Sequence, residues 1–370
     1  MTTSPSGVSI KLTNPFPLTG GRWLFKLKYE VAMQSLYLTK PSHIEVREVP
    51  IPPFKEDELL IKVAYCGICT LEQRLYTGER EIHYPIVPGH EASGVVVEVG
   101  KGVVTNVKRG EHVALDLVNR CYACAACLRG ETNLCENRFK AGQKVLGAFS
   151  DYIVVKPHQI HPIPTTLPLE EAAFSEPLAC TVRSLKRGRL TLGDTLLISG
   201  LGTMGILHLK VAQVMGLRVI ACDPNAERLQ KAKELGAITF TSEECLEGIN
   251  ELTAGRGVEG AIVTTVATQG LDVAIQVLAT NGTLVLYSSY GEEKLFPFDL
   301  NAIHQKELTI TGSEGRSGDD FHQAVRLLSN GTINCSDLIS NIYPLSWAQE
   351  GYKRALSKDT YRVLFKLGEA

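Results

Sequence analysis

The sequence predicts an α/β chain in two parts: a compact β-rich domain, then a domain built on a doubly wound parallel sheet. Three observations carry this expectation. From Met33 to about Ser175, short apolar or alternating runs are separated by Pro and Gly turns, the pattern of an all-β unit. From about Thr181 the rhythm changes to strand, helix, strand, helix, which implies parallel strands with helices on both faces. At the first turn of that second part stands Gly200-Leu201-Gly202-Thr203-Met204-Gly205.

Composition sets the limits. The chain has 370 residues at 40.4 kDa, 44% hydrophobic and 21% charged, which excludes disorder and suits two or three domains at roughly 150 residues each. Lys+Arg is 38 against Asp+Glu 40, a net charge of −2, so nothing electrostatic favours nucleic acid or an anionic membrane as partner. No apolar run approaches the roughly 18 residues of a bilayer span. Residues 1–32 read differently from the rest. They carry seven Ser and Thr up to Thr19, four basic residues (Lys11, Arg22, Lys26, Lys28) and no acid before Glu30. That mix weakly resembles an organelle transit peptide. A disordered tail, or a start placed ahead of a true first residue at Met33, accounts for it better. The N-terminus lacks the charged start, apolar core and cleavage site of a secretory signal, so a cytoplasmic home with metal-bound or free thiols is expected for the ten cysteines.

In order along the chain, strands are expected at His43–Val49, Glu58–Tyr65, Ser93–Val99, His112–Leu115 and Asp151–Val155, with turns at Ile51-Pro52-Pro53 and Val87-Pro88-Gly89. Thr195–Ser199 reads as an apolar strand and Met204–Met215 as a helix. Arg218–Cys222 is the next strand and Ala226–Leu235 the next helix. Later strands are expected at Ala261–Thr265, Thr283–Tyr287 and Leu308–Thr311, a helix near Asp319–Leu328, and a last strand at Tyr361–Lys366.

The glycine pattern is common by itself, but here it follows the strand Leu196–Ser199, opens a helix, and precedes an acid, Asp223, by 18 residues. That context is a dinucleotide fingerprint. Gly200 permits the tight turn, Gly202 lets backbone approach a pyrophosphate, and Gly205 lets the helix pack on the sheet. The helix start at Thr203 and Met204 offers unpaired N–H groups and a positive dipole end to phosphates. The Asp223 carboxylate can accept both ribose hydroxyls but repels a 2′-phosphate, which favours NAD over NADP. Arg228 lies close enough to moderate that preference.

Cys121, Cys124, Cys127 and Cys135 are spaced x2, x2 and x7. Paired C-x-x-C turns direct sulfurs to one point, and four thiolates suit tetrahedral Zn²⁺ in a closed, structural shell. An iron–sulfur cluster would want the fourth Cys sooner and a proline after it, where Glu136 stands. Disulfides among cysteines this close would be strained. Cys66, Cys180, Cys222, Cys245 and Cys335 read as small buried hydrophobes.

Cys66-Gly67-Ile68-Cys69, Gly89-His90-Glu91, the four-cysteine run and Gly200–Gly205 together resemble, in order and spacing, the zinc-dependent medium-chain alcohol dehydrogenase family, from Met33 to the C-terminus. The resemblance implies a GroES-like catalytic domain over residues 33–178, with its zinc lobe at about 118–137. It further implies a Rossmann NAD-binding domain over 179–316 and a return to the catalytic domain over 317–370. It implies a second, catalytic zinc at Cys69, His90, Glu91 and Glu176, two zincs per chain in all. Glu176 matches the glutamate of the sorbitol and threonine dehydrogenases, which binds zinc directly or through water. Three or four protein ligands plus an exchangeable water leave a position for substrate oxygen. The chemistry implied is hydride transfer between a secondary alcohol, with a polyol or sugar favoured, and NAD to give a ketone. A homodimer or homotetramer is implied as well.

One departure stands out. Where the family carries a Ser or Thr and often a His that relay the alcohol proton, this chain has Leu71 and Arg74, neither of which can do so. Thr70, Glu72 or a water chain would have to substitute, and Glu72 reads instead as a group holding a ligand in place. Threonine or a simple alcohol is the alternative substrate. A cofactor-binding protein without turnover is the alternative of a different class.

Overall fold

The computed structural model describes residues 32–80, 82–138, 146–290 and 295–368. Apart from Ala32, the expected N-terminal extension lies outside these residues.

A hairpin of β1 (Ala32–Lys40) and β2 (His43–Pro50) opens the chain. Then come β3 (Leu59–Ile68), α1 (Thr70–Thr77), β4 (Glu91–Val99), β5 (His112–Asp116), the short α2 (Ala125–Leu128), β6 (Tyr152–Val155), β7 (Ile160–Pro162), α3 (Leu169–Ala172) and α4 (Ser175–Gly188). The alternating part follows: β8 (Thr195–Ser199), α5 (Thr203–Val214), β9 (Arg218–Cys222), α6 (Ala226–Glu234), β10 (Ile238–Phe240), α7 (Cys245–Thr253), β11 (Val258–Val263), α8 (Thr268–Gln276), β12 (Leu278–Leu286), α9 (Leu300–Gln305) and β13 (Thr309–Gly312). The chain closes with α10 (Gly318–Ser329), β14 (Ile339–Pro344), α11 (Ala348–Ala355) and β15 (Arg362–Lys366).

The alternating part forms a six-stranded parallel sheet in the order β10-β9-β8-β11-β12-β13. Strand order reverses between β8 and β11, the switch point at which doubly wound sheets bind dinucleotides. The other strands make a seven-stranded sheet, β14-β15-β3-β4-β5-β7 with β6 on β3. Here β15 returns from the far end of the sequence to lie antiparallel to β3. A core of Phe149, Tyr352 and Phe365 fills this domain, while Ile220, Ile249 and Val263 cover one face of the parallel sheet.

Between the two sheets lies a third core, in which Leu178, Val182 and Leu185 of α4 pack with Ile198, Ile206, Phe321 and Leu328. Each such side chain contributes about 1.5–3 kcal/mol on burial. Helix α4 has no counterpart among the sequence expectations. It runs unbroken through residues 178 and 179, where the sequence reading divides the domains, so both sheets share it. Several strands also differ in their limits: β3 runs three residues past the expected Tyr65 to Ile68, and β12 begins five residues before the expected Thr283, at Leu278. The expected Ala261–Thr265 begins three residues earlier, at Val258, and ends at Val263. Thr264 has left the ladder because its hydroxyl donates to the Ser199 and Gly200 carbonyls, at 3.2 and 2.8 Å. Among the described residues no helix is long and apolar enough to cross a membrane.

Candidate active site

Sheet register brings the charged residues of the site together. Gly67 on β3 faces Glu91 on β4, Glu91 faces Asp116 on β5, and Val363 on β15 faces Ile68. Glu91, Asp116 and Arg362 therefore gather at one end of the sheet, where β3 runs out into Cys69, and all three are buried. A Cβ at Gly67 would run into Glu91 Oε2, so glycine leaves the room this carboxylate occupies.

Cys69 caps α1. Its Sγ accepts the Leu71 N–H at 3.1 Å, and Glu72 Oε2 accepts the Cys69 N–H at 3.2 Å, a reciprocal cap that fixes the thiol at the helix start. Glu72 Oε1 accepts from His90 Nδ1 at 2.7 Å and from the Gly89 N–H at 3.2 Å. With Nδ1 engaged, His90 turns Nε2 towards Cys69 Sγ at 3.6 Å and Glu176 Oε1 at 3.9 Å. Glu176, on the first turn of α4, is paired with Arg316 and accepts from Cys180 Sγ at 3.5 Å. Glu91 Oε1 meets Arg362 Nη2 at 3.0 Å, and Arg362 Nη1 donates to the Ile68 carbonyl at 3.0 Å. The structure thus brings His90 together with Cys69 and Glu72 in one group and with Glu91 and Glu176 in another. Donor atoms of Cys69, Glu72 and His90, and again of His90, Glu91 and Glu176, lie within 4.8 Å of one another.

The charges are those of a cation site. Arg316 and Arg362 offset Glu176 and Glu91. Glu72 and a Cys69 thiolate leave two negative charges, which one divalent ion balances. Without that ion, burial pushes the Cys69 thiol up to about 12, with Glu72 adding to the rise. Burial also lifts the Glu91 carboxyl to about 7 against the pull of Arg362. A bound cation reverses both tendencies. Thiolate, imidazole and carboxylate are donors zinc accepts, so the residues present fit the metal.

The four-cysteine lobe has the same kind of fit. All four Sγ atoms lie within 4.8 Å of one another, with Cys121 and Cys135 at 3.6 Å. The Ala123 and Cys124 N–H groups point at Cys121 Sγ, at 3.5 and 3.3 Å. Ala123 contributes most to holding that thiol down, to about 6, while burial pushes Cys127 up to about 12. Four sulfurs this close, with N–H donors aimed at Cys121, fit a closed zinc shell. Cys124→Ser is expected to lose this one zinc and to lower the melting temperature by on the order of 5 °C, about 2 kcal/mol for a domain of this size. Elemental analysis and a thermal melt check it; an unchanged melt with both zincs retained would contradict it.

The dinucleotide cradle lies at the switch point. Gly200 has φ +97°. The absent Cβ of Gly205 admits the Gly200 carbonyl, and a Cβ on Gly202 would approach only Arg228 Nη1, at 3.9 Å. The space over the turn is open, and the first-turn N–H groups of α5, at Thr203 and Met204, face the helix start where phosphates bind. Asp223 is buried at the end of β9. Its Oδ2 accepts the Leu201 N–H at 2.7 Å and its Oδ1 the Asn225 N–H at 2.8 Å, so it also braces the turn. Arg228 Nη1 stands 3.9 Å from Asp223 Oδ2, and its Nη2 donates to the Lys358 carbonyl at 2.6 Å.

The residues at the relay positions have other partners. Leu71 packs against the core of the seven-stranded domain, and Arg74 Nη2 donates to the Ser289 carbonyl, beyond β12, at 3.0 Å. Thr70 is exposed. Sequence reasoning missed Arg316 and Arg362. An arginine opening the apolar strand Val363-Leu364-Phe365 was a usable signal for Arg362; Arg316, in a loop between Gly315 and Ser317, carried none.

Residues 55–165 match the alcohol dehydrogenase GroES-like domain, and residues 202–330 match the zinc-binding dehydrogenase domain. The chain is 32% identical over 327 residues to the D-arabitol-phosphate dehydrogenase of Enterococcus avium, covering 86% of this chain and 92% of that protein. It is 30% identical over 328 residues to the sorbitol dehydrogenase of Halalkalibacterium halodurans, covering 87% and 95%. Among solved structures, a zinc-binding dehydrogenase from Sinorhizobium meliloti 1021 bound to NADP aligns with a TM-score of 0.85 at 28% identity, covering 91% of this chain and 100% of that one.

Proposed function

The chain belongs to the zinc-binding alcohol dehydrogenase family, and from that membership we propose that it oxidises a secondary alcohol of a polyol or sugar to a ketone with NAD. The meeting of two donor groups at His90, one with Cys69 and Glu72 and one with Glu91 and Glu176, carries this reading. Support for a shared cleft comes from α4, packed between the sheets, and from Arg74, which ties α1 to the loop beyond β12. Ligands of such sheets bind beyond the carboxyl ends of their strands. The domain division at 33–178, 179–316 and 317–370 belongs to the same reading.

Zinc at the cluster would supply a Lewis acid for the substrate oxygen, and the dinucleotide a hydride acceptor. Cys69 and His90 would hold the metal, with Glu91 and Glu176 the carboxylates facing it, directly or through water. Glu72 fixes the tautomer of His90 by accepting from Nδ1, which leaves Nε2 as the donor atom. Glu176, whose carboxylate lies 3.9 Å from His90 Nε2, would take the alcohol proton. A cytoplasmic location and a homodimer or homotetramer complete the proposal.

A panel of polyols, sugar alcohols, threonine and simple alcohols, read by NADH absorbance, tests the reading. Turnover of polyols above the others is expected; threonine above all others would move the enzyme to another substrate, and silence across the panel would overturn it. Asp223→Ala is expected to weaken NAD about ten- to a hundredfold, the worth of charge-assisted hydrogen bonds, and to narrow the NAD advantage over NADP. Binding titrations with both cofactors check this. A wild-type preference for NADP would show that Arg228 outweighs the carboxylate.

A further inference from the structure

Glu176 ends a buried row of alternating charges that leads to the cysteine lobe. Arg316 pairs with it through Nη1 and sets Nη2 3.0 Å from Asp116 Oδ1. Asp116 Oδ2 accepts from Arg120 Nη1 at 2.6 Å, and Arg120 Nη2 closes a ring by donating to the Arg316 carbonyl at 3.1 Å. All four side chains are at least nine-tenths buried. Arg120 immediately precedes Cys121. Two further lobe residues grip the same segment: Asn133 Nδ2 donates to the Glu314 carbonyl at 2.8 Å, and Arg138 Nη2 meets Glu314 Oε1 at 3.1 Å. Residues 314–316 are thus fastened to the lobe at three points, and their far end carries the guanidinium that holds Glu176.

We propose that the four-cysteine lobe positions Glu176: acting through Arg120, it clamps Arg316 onto this carboxylate and so keeps Glu176 from closing the metal shell at Cys69, His90 and Glu91. The inference rests on the functional reading above, and it names what leaves a position free for the substrate oxygen. A carboxylate released from its guanidinium, 3.9 Å from His90 Nε2, would be free to join His90 as a ligand to a metal held there. Four protein ligands make a closed tetrahedral site, three an open one. Arg316 and Arg120 are positioning residues here, because neither needs to touch the substrate.

The test uses the full-length protein with both metals in place, and cobalt exchanged into the Cys69 site as a spectroscopic probe. In Arg316→Met the cobalt spectrum is expected to change, and a chelator should remove the metal about tenfold more slowly, the lower end of what neighbours of metal ligands contribute. Adding Glu176→Gln to that variant should restore wild-type release. Arg316→Lys, which keeps the cation, should stay near wild type. Arg120→Met should move in the same direction as Arg316→Met, by less, with all four lobe cysteines intact. If Arg316→Met does not fold, Arg316→Gln drops the charge while retaining hydrogen bonds and is read in the same way. Release and spectrum unchanged in the charge-removing variants, with two metals in the wild type, would overturn this inference alone. Wild-type release in Arg120→Met would overturn the part given to the lobe. A wild type holding metal only in the lobe would overturn the functional reading and this inference together.

Discussion

Cys69→Ser is expected to remove one of two zincs per chain and to abolish turnover, with the fold intact. A serine hydroxyl does not ionise as a thiol does, so the cluster loses its anionic sulfur and its charges no longer call for a divalent ion. The lost Lewis acidity is worth several kcal/mol of charge stabilisation, on the order of 10³-fold in rate or more. The fold survives for a local reason. Cys69 is the N-cap of α1 and accepts from the Leu71 N–H, a role serine fills at least as well. Metal analysis, NADH formation and a thermal melt separate the effects. Undiminished turnover, or a second zinc still bound, would remove Cys69 from the site.

Glu176→Gln is expected to lower turnover by about 10²–10⁴-fold, the usual contribution of a positioned proton acceptor, while most of the zinc stays bound. Thr70→Ala should change turnover little. With Leu71 packed against the core, Arg74 reaching Ser289 and Thr70 exposed, Glu176 is the carboxylate best placed for the proton. Glu72 is fully engaged with His90, Gly89 and Cys69. Glutamine keeps the shape and still accepts from Arg316, but it cannot carry the proton. Equal rates for wild type and Glu176→Gln at saturating substrate would point to an ordered water chain instead.

Periodicity and turn residues made most strands of both sheets legible, together with the helices at 203–214, 226–234 and 318–329. They failed at α4, where Ser175-Glu176-Pro177 looks like a loop entry and a continuous apolar-and-small run gives no clear helical face. They failed also at the limits of β11, because the hydroxyl of Thr264 bonds to a neighbouring turn that the local sequence does not contain. The four-cysteine run was legible because its chemistry is rare and its spacing is short. Cys69, His90, Glu91 and Glu176 were reached only through a family resemblance, since they are dispersed along the chain and have no spacing to read.

By itself the sequence determined the parts whose physics is local: the strand–glycine turn–helix that opens a phosphate site and the four thiols that direct sulfur to one point. Tertiary structure alone decided how the charges are shared. Arg362 reaches Glu91 because β15 returns across nearly the whole chain to lie on β3, and Arg316 reaches Glu176 because the segment after β13 is fastened to the lobe. In a buried site each carboxylate needs a partner of opposite charge. Which arginine supplies it depends on contacts between residues 140 and 271 positions apart in the chain, a separation at which local pattern carries no information.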